Sequence, residues 1–519
     1  MLALKDRTQQ IADALAEHSS LLVHAQDLLV SNVWATLPPD ACSYLEHLSY
    51  VDLARLPTSL PATKTPPPES LMRLLALREI ALPRYPQERA IDGTHRAVSV
   101  ALQTKGERRQ KKAYEVERLT TLVASMASSS SARVLDVGCG KGHLAAALAE
   151  KGMDVIGLEA QADMTVAATA TPCNTASQRG RVRMWHRAIM ADERAASILD
   201  EVYDEAWTEA RPYDPAPTAV VCALHACGDL SATVLRGFAG SARLRMLALV
   251  PCCYHLLTVA DETEVRTLRC EACESAADDR SSSAEASARV PSVAKETAAV
   301  AGFPLSAAGR AIGLHLSREM RMLSTRREAA GVPPTWLEPL ESERSDGPPP
   351  SLVRMLHDCL FALLIRTHYS DLVEVGARVA TGGLRKHRAP CRALPSKLHD
   401  FASFAQAVLA QVGLPDRLGH EALARFAEAT ITTLAGGSLE VAIRRLAAIT
   451  SLRALLAQLA ESAVLCDQML FLREQGIDDV ELIPLFEPSR SPRNMAIVAR
   501  KRSRGPARSC DTSLIDGRN

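Results

Sequence analysis

Residues 133–159 read RVLDVGCGKGHLAAALAEKGMDVIGLE, and the succession of residue types in this stretch decides the fold. Val134-Leu135-Asp136-Val137 is a short apolar run of the kind that forms a buried strand. Gly138, Gly140 and Gly142 follow at alternate positions, and residues 144–150 then favour helix. Gly152 is placed to end that helix as a left-handed C′ residue. A second apolar run, Val155-Ile156-Gly157-Leu158, closes on Glu159. Strand, glycine turn, helix, strand and acid in this order predict a βαβ nucleotide-binding unit. A strand that feeds straight into a helix leaves no room for side chains in the turn, and glycine tolerates the positive φ needed there. It also lets a ligand approach the backbone N–H groups at the helix N-terminus. Glu159, at the tip of the second strand, is placed to accept both ribose hydroxyls of a nucleoside.

The glycine spacing narrows the ligand. A dinucleotide fingerprint needs its third glycine where this chain has His143, and the spacing of a P-loop is absent. Acid-x-Gly-x-Gly-x-Gly, led by Asp136, instead resembles the motif of S-adenosylmethionine (SAM) methyltransferases. The resemblance implies SAM as cofactor, held by Asp136, Gly138, Gly140, Gly142 and Glu159.

Outward from this stretch, 519 residues suggest about three domain-sized units. The composition is 47% hydrophobic with 60 basic and 60 acidic residues, so no global field draws nucleic acid and any such contact must use local patches. Residues 1–25 carry Asp6, Asp13 and Glu17 and do not read as a secretory signal. No uninterrupted apolar run reaches membrane-spanning length, so the expectation is an intracellular protein, cytoplasmic or nuclear, with its 13 cysteines as thiols.

The expected organisation follows the chain. Residues 1–92 form a helical N-terminal region, with a proline-rich linker at 56–69 and a short helix at 70–82. Residues 93–255 form the first part of the core. Its charged helix, RRQKKAYEVERL at 108–119, reads as a solvated face with a Lys111–Glu115 pair. Strands are expected at 181–189, with Asp192 beyond as a candidate for the adenine end, then at 218–224 and 244–250. The last two run into HACGDL (residues 225–230) and PCCYH (residues 251–255), loops that project toward the same crevice as the glycine turn. Residues 256–460 read as a largely helical insertion with flexible linkers, including helices at 352–365, 398–414, 418–434 and 439–472. Residues 461–502 return with a helix and two strands, 480–486 and 494–500, and 503–519 form a basic tail. Pro484 suits the end or edge of a strand better than its centre.

With KKAYEVERL, DVGCGKGHL, LHACGDL, CCYHLL, GFPLS (residues 302–306), ESAVLCDQMLFLREQG and PLFEPSRSPRNMAIVARK in hand, the chain resembles the methyltransferase-like protein 25 family. That family includes relatives of the ribosomal RNA adenine dimethylase domain-containing protein. The likeness covers most of the chain from about residue 105, in family order. It implies an α/β fold: a Rossmann-like, seven-stranded class I methyltransferase sheet, with a helical N-terminal region and a large helical insertion before the last two strands. Tyr114 stands where the family usually has His, and Asp467-Gln468 where it has Asp-Arg, departures expected to bear on the rim of the active site. The GCGKG, CCYH and SPRN segments are also similar to elements of the eukaryotic tRNA 2′-O-methyltransferases that modify the acceptor stem, which makes RNA, rRNA or tRNA, the leading acceptor class. A protein acceptor, or a non-catalytic SAM-binding scaffold, is the alternative.

Methyl transfer from SAM is an in-line displacement, so alignment supplies much of the rate and the acceptor must lose a proton. His225, Asp229 and His255 are the candidate catalytic residues, with either histidine able to act as general base near neutrality. The loop after the fourth strand lacks the Asn/Asp-Pro-Pro-aromatic sequence that grips an exocyclic amine. Cys252 and Cys253 admit a nucleophile reading, but cysteine directly after a core strand is more often a small buried residue. Cys270-x-x-Cys273 with Cys252-Cys253 admits a zinc reading, yet the second pair is adjacent rather than spaced, and no metal ligand is assigned. Basic segments at 108–112, 384–397 and 500–508 are candidate phosphate contacts.

Overall fold

A computed structural model describes residues 2–84, 107–127, 132–163, 180–189, 194–207, 218–259, 301–334, 336–337, 347–370, 400–411 and 413–502. Seven strands form one sheet: β1 (Arg133–Val137), β2 (Asp154–Glu159), β3 (Val182–His186), β4 (Ala219–Cys227), β5 (Met246–Cys252), β6 (Asp479–Pro484) and β7 (Met495–Arg500). Their order is β3-β2-β1-β4-β5-β7-β6. The first five are parallel, and β7 runs antiparallel to both β5 and β6. This is the expected class I methyltransferase sheet, completed far downstream of where it begins. Pro484 is the last residue of edge strand β6, a place that does not demand its missing N–H.

β1 lies centrally, with β2 and β4 on either side. Strand alternation sends its side chains to two cores. Val134 joins a layer built from the Glu107–Ala127 and His143–Glu150 helices with Leu485 and Phe486. Leu135 and Val137 join the opposite layer, which holds the Ala195–Trp207 and Asp229–Gly240 helices and continues into the helical region.

That second layer is organised by one helix, Leu439–Glu474, of 36 residues. The Ser438 hydroxyl accepts the Val441 N–H at its start. At its end Gly476 takes a φ of 77°, and Ile477 N–H reaches back to Leu472 O at 3.2 Å, a Schellman stop. Residues 451–470 are buried on every side, as expected of a helix wrapped by protein. By length and composition this helix could cross a membrane, but 94% of its apolar window is buried inside the protein, so it is a core helix. It runs through residue 460 without a break, where a boundary between insertion and core is expected. The Leu2–Glu17 helix and the short N-terminal helices pack along it.

Asp467 and Gln468 lie inside the protein rather than at a rim. The Asp467 carboxylate accepts Leu305 N–H at 2.6 Å, Ser306 N–H at 2.9 Å and Ser306 Oγ at 2.6 Å. Glu474, two turns on, accepts Ala307 N–H and Ala308 N–H at 2.7 Å each. Asp467 thus fixes the lead-in to the Ala307–Ala311 helix that GFPLS introduces, and Glu474 caps its first turn. Gln468 Nε2 donates to Ser231 Oγ at 3.1 Å, joining the long helix to the one after β4.

Candidate functional site

The cofactor half of the site is the β1–β2 turn. Gly138, Gly140 and Gly142 have φ of 70°, 55° and 72°, a left-handed series that L side chains enter only with strain. At Gly138 a Cβ would also stand 2.9 Å from Leu230 Cδ2. Leu158 O receives Gly138 N–H at 2.8 Å and Cys139 N–H at 3.1 Å, which locks the turn to β2. Glu159 spans the turn: one carboxylate oxygen accepts Gly140 N–H at 2.9 Å and the other Gln161 N–H at 3.0 Å. Each oxygen retains a further lone pair for a ligand hydroxyl.

Asp136 is 1% exposed and accepts the N–H of Ala145 at the start of the following helix. Its Oδ2 has no hydrogen-bond partner among the described residues. Burial pushes its carboxyl up to about 7, and Lys112 opposes the shift. Lys112 is in turn held below the usual lysine range by partial burial and by neighbouring Lys141, while Glu115 and Asp136 pull the other way. The start of the Glu107–Ala127 helix therefore lies beside the glycine turn. A carboxyl raised in the fold binds a proton there at pH values where the unfolded chain has lost it, so stability falls as pH rises from about 4 through about 7. Asp136→Asn is expected to flatten that part of the pH dependence, measured as urea midpoints at pH 5 and pH 8.

The second half gathers around Glu115. The Lys111–Glu115 pair forms at 3.5 Å, but Glu115 is buried, not on a solvated face. Its Oε2 meets His225 Nε2 at 3.0 Å, and its Oε1 accepts Ser491 Oγ at 2.5 Å. Burial pushes the Glu115 carboxyl up, but the contacts from His225, Ser491 and Lys111 prevail and hold it below the usual carboxylate range. β4 does not end at residue 224 as expected. It bulges at His225, which takes a φ of 62°, and pairing with β5 resumes at Ala226–Pro251 and Cys227–Cys252. A bulge re-aims a side chain at a strand end, and here it turns His225 toward Glu115. KKAYEVE, HACGDL and SPRN, separate in sequence, thus meet in one cluster.

Asp229 is brought to the same sheet edge, but its carboxylate is occupied, accepting Thr258 N–H at 2.9 Å and Thr258 Oγ1 at 2.5 Å. It ties the segments after β4 and β5 together. His255 is half-buried on a single 3₁₀ turn, Tyr254–Leu256, after β5. Its neighbour Tyr254 points inward, donating to Glu461 Oε1 at 3.1 Å. Tyr114 accepts Glu487 N–H at 2.8 Å, and Arg490 lies over its ring at 3.8 Å, so the departure from the family pattern supports the β6–β7 connection. Glu115 and Ser491 escape the sequence-based assignment of the site. The signal available for them is their membership in the KKAYEVERL and SPRN motifs. Asp192, Cys270, Cys273 and the basic segments at 384–397 and 503–508 lie outside the described residues.

The sheet order and the glycine turn define a class I, Rossmann-like methyltransferase domain. Residues 111–260 match the family model described as "Methyltransferase domain". The chain is also similar to "Probable methyltransferase-like protein 25" of Mus musculus, 23% identical over 319 residues, 60% of this chain and 40% of that protein. The protein of the same name from Homo sapiens is 23% identical over 286 residues, 54% of this chain and 36% of its own length. Together with the sheet, these matches identify residues 111–260 as a methyltransferase domain. The matched stretch spans well under half the length of those relatives.

Proposed function

We propose that the chain is a SAM-dependent methyltransferase acting on RNA. The observation that carries the cofactor reading is the three-glycine turn closed by Glu159 at 2.9 Å from Gly140 N, with one oxygen of buried Asp136 left without a partner beside it. Those features fit SAM. Glu159 would take the ribose hydroxyls, the glycine turn would admit the nucleoside close to backbone, and the unpartnered oxygen of buried Asp136 would offer an acceptor to the ammonium of the amino-acid moiety. Bound SAM supplies an electrophilic methyl group on a sulfonium. The chain's own task is to align an acceptor and take its proton, and His225 backed by Glu115 is the pair placed for it. The RNA reading rests on the likeness of GCGKG, CCYH and SPRN to tRNA 2′-O-methyltransferase elements, and on the basic segments at 384–397 and 500–508.

Titration calorimetry should detect SAM binding in the micromolar range common among enzyme ligands. Gly140→Arg, which puts a long side chain where φ is 55°, should abolish it while leaving the circular dichroism of the fold unchanged. Binding that survives Gly140→Arg would remove the site assignment. Tritiated SAM with fractionated cell extract tests the acceptor: label in RNA supports the proposal, label confined to protein replaces it, and binding without any transfer leaves a scaffold.

A further inference from the structure

At the β4 and β5 ends lies a feature that the proposed methyl transfer does not call on. Cys227 is the last residue of β4 and Cys252 the last of β5, and the two are register partners on adjacent parallel strands. Register partners of a parallel pair point to the same face, and their sulfurs stand 3.0 Å apart. Strand alternation would send Cys253 to the other face. Cys253 instead leaves the strand in a left-handed conformation, φ 51° and ψ 46°, which brings its sulfur to 3.6 Å from that of Cys252. All three sulfurs lie within 4.8 Å of one another. Non-glycine residues hold such a conformation only where their surroundings over-determine it, and such positions gather at functional sites.

We propose that Cys227, Cys252 and Cys253 form a three-thiolate site for a single thiophilic metal ion, with Zn²⁺ as the reference occupant and a fourth position open to solvent. A nucleophile needs one sulfur and a disulfide two; three converging sulfurs, one of them recruited by backbone strain, match the donor set of a mononuclear site. Zn–S bonds of about 2.3 Å in tetrahedral geometry require sulfurs about 3.8 Å apart. The Cys252–Cys253 distance is already 3.6 Å, and the Cys227–Cys252 pair would have to open by less than an ångström from 3.0 Å. Cys227 is exposed, Cys253 half-buried and Cys252 buried, which gives the ion a way in and leaves one side uncovered. Loading replaces three thiol protons by one divalent ion, and the protons go to solvent. Sequence spacing does not reveal this set, because Cys227 sits 25 residues upstream of Cys252 and joins it only across the sheet.

The test uses the full chain carrying Cys270→Ser and Cys273→Ser, reduced with a phosphine and stripped by chelation. Added Co²⁺ should produce sulfur-to-cobalt charge-transfer absorption that saturates at one equivalent, and Zn²⁺ should abolish it. Cys227→Ser and Cys253→Ser should each lose the absorption with circular dichroism unchanged, while Cys42→Ser, at a half-buried cysteine of the N-terminal region, keeps it. Absence of the band in the Cys270→Ser/Cys273→Ser chain, or its persistence in Cys227→Ser, would overturn the site. So would mass spectrometry finding Cys227 and Cys252 joined as a disulfide under the same reducing conditions.

Discussion

Replacing Glu461 with alanine is expected to lower stability by about 3–5 kcal/mol, seen as a fall in the urea midpoint at unchanged slope. Glu461 is fully buried in the long helix, where its carboxylate pairs with Arg84 at 2.9 Å and Arg493 at 3.0 Å and accepts the Tyr254 hydroxyl at 3.1 Å. Those side chains come from the N-terminal region, the β6–β7 connection and the turn after β5. Truncating Glu461 strands two guanidinium groups, 3% and 10% exposed, that have no other acidic partner among the described residues. An ion pair buried this deeply is not in itself a net gain, since the desolvation of both partners offsets their attraction. The damage therefore arises from the unpaired state. Arg84→Met combined with Glu461→Met should recover part of the loss, because it withdraws one charge together with its partner. Additive effects in that double variant would show that the two residues do not act as a pair.

Contacts between residues far apart in the chain decide what the sequence discloses and what it withholds. The β1–β2 turn is legible because its signals are local: an apolar run, glycines at alternate positions and an acid at the next strand tip, all within residues 133–159. The limits of β4 are less so. Its apolar run stops at Leu224, but the strand continues to Cys227 because pairing with β5 resumes beyond the bulge, and nothing in the residues after Leu224 signals that. Glu115 is hidden for a different reason. In a helix reading RRQKKAYEVERL, an acid four residues after a lysine fits a solvated pair, whereas its hydrogen-bond partner Ser491 lies 376 residues away. Asp467 is equally opaque, since the N–H groups that it accepts belong to Leu305 and Ser306, 162 and 161 residues earlier. Local periodicity locates elements, whereas the chemistry of this site is assembled by contacts across the whole chain. Family motifs flag such residues without disclosing their partners.

Turnover, by the same logic, should depend on the Glu115–His225 pair far more than binding does. His225→Ala is expected to reduce methyl transfer by about 10²–10⁴-fold, with little change in SAM affinity measured by calorimetry. The imidazole stands at the carboxyl end of β4, one-third exposed, while Glu115 is 4% exposed and pairs with it at 3.0 Å. In the proposed mechanism Glu115 is a positioning residue, and Glu115→Gln separates that task from packing. Glutamine keeps the shape and can still accept from Ser491, but it cannot supply the charge that orients and stabilises a protonated imidazole. The expected result is a lower kcat with an unchanged KM for SAM. A second readout follows from the Glu115 carboxyl being held below its ordinary range. Above the unfolded-state pKa the ionised carboxylate contributes its full stabilisation, which is lost as pH falls through the lower folded-state value. Glu115→Gln should remove that acid-side loss. A variant that lowers SAM affinity as much as turnover would assign Glu115 to the architecture of the cleft alone. A drop in kcat at constant affinity, with the acid limb of stability flattened, requires the buried carboxylate to act through His225.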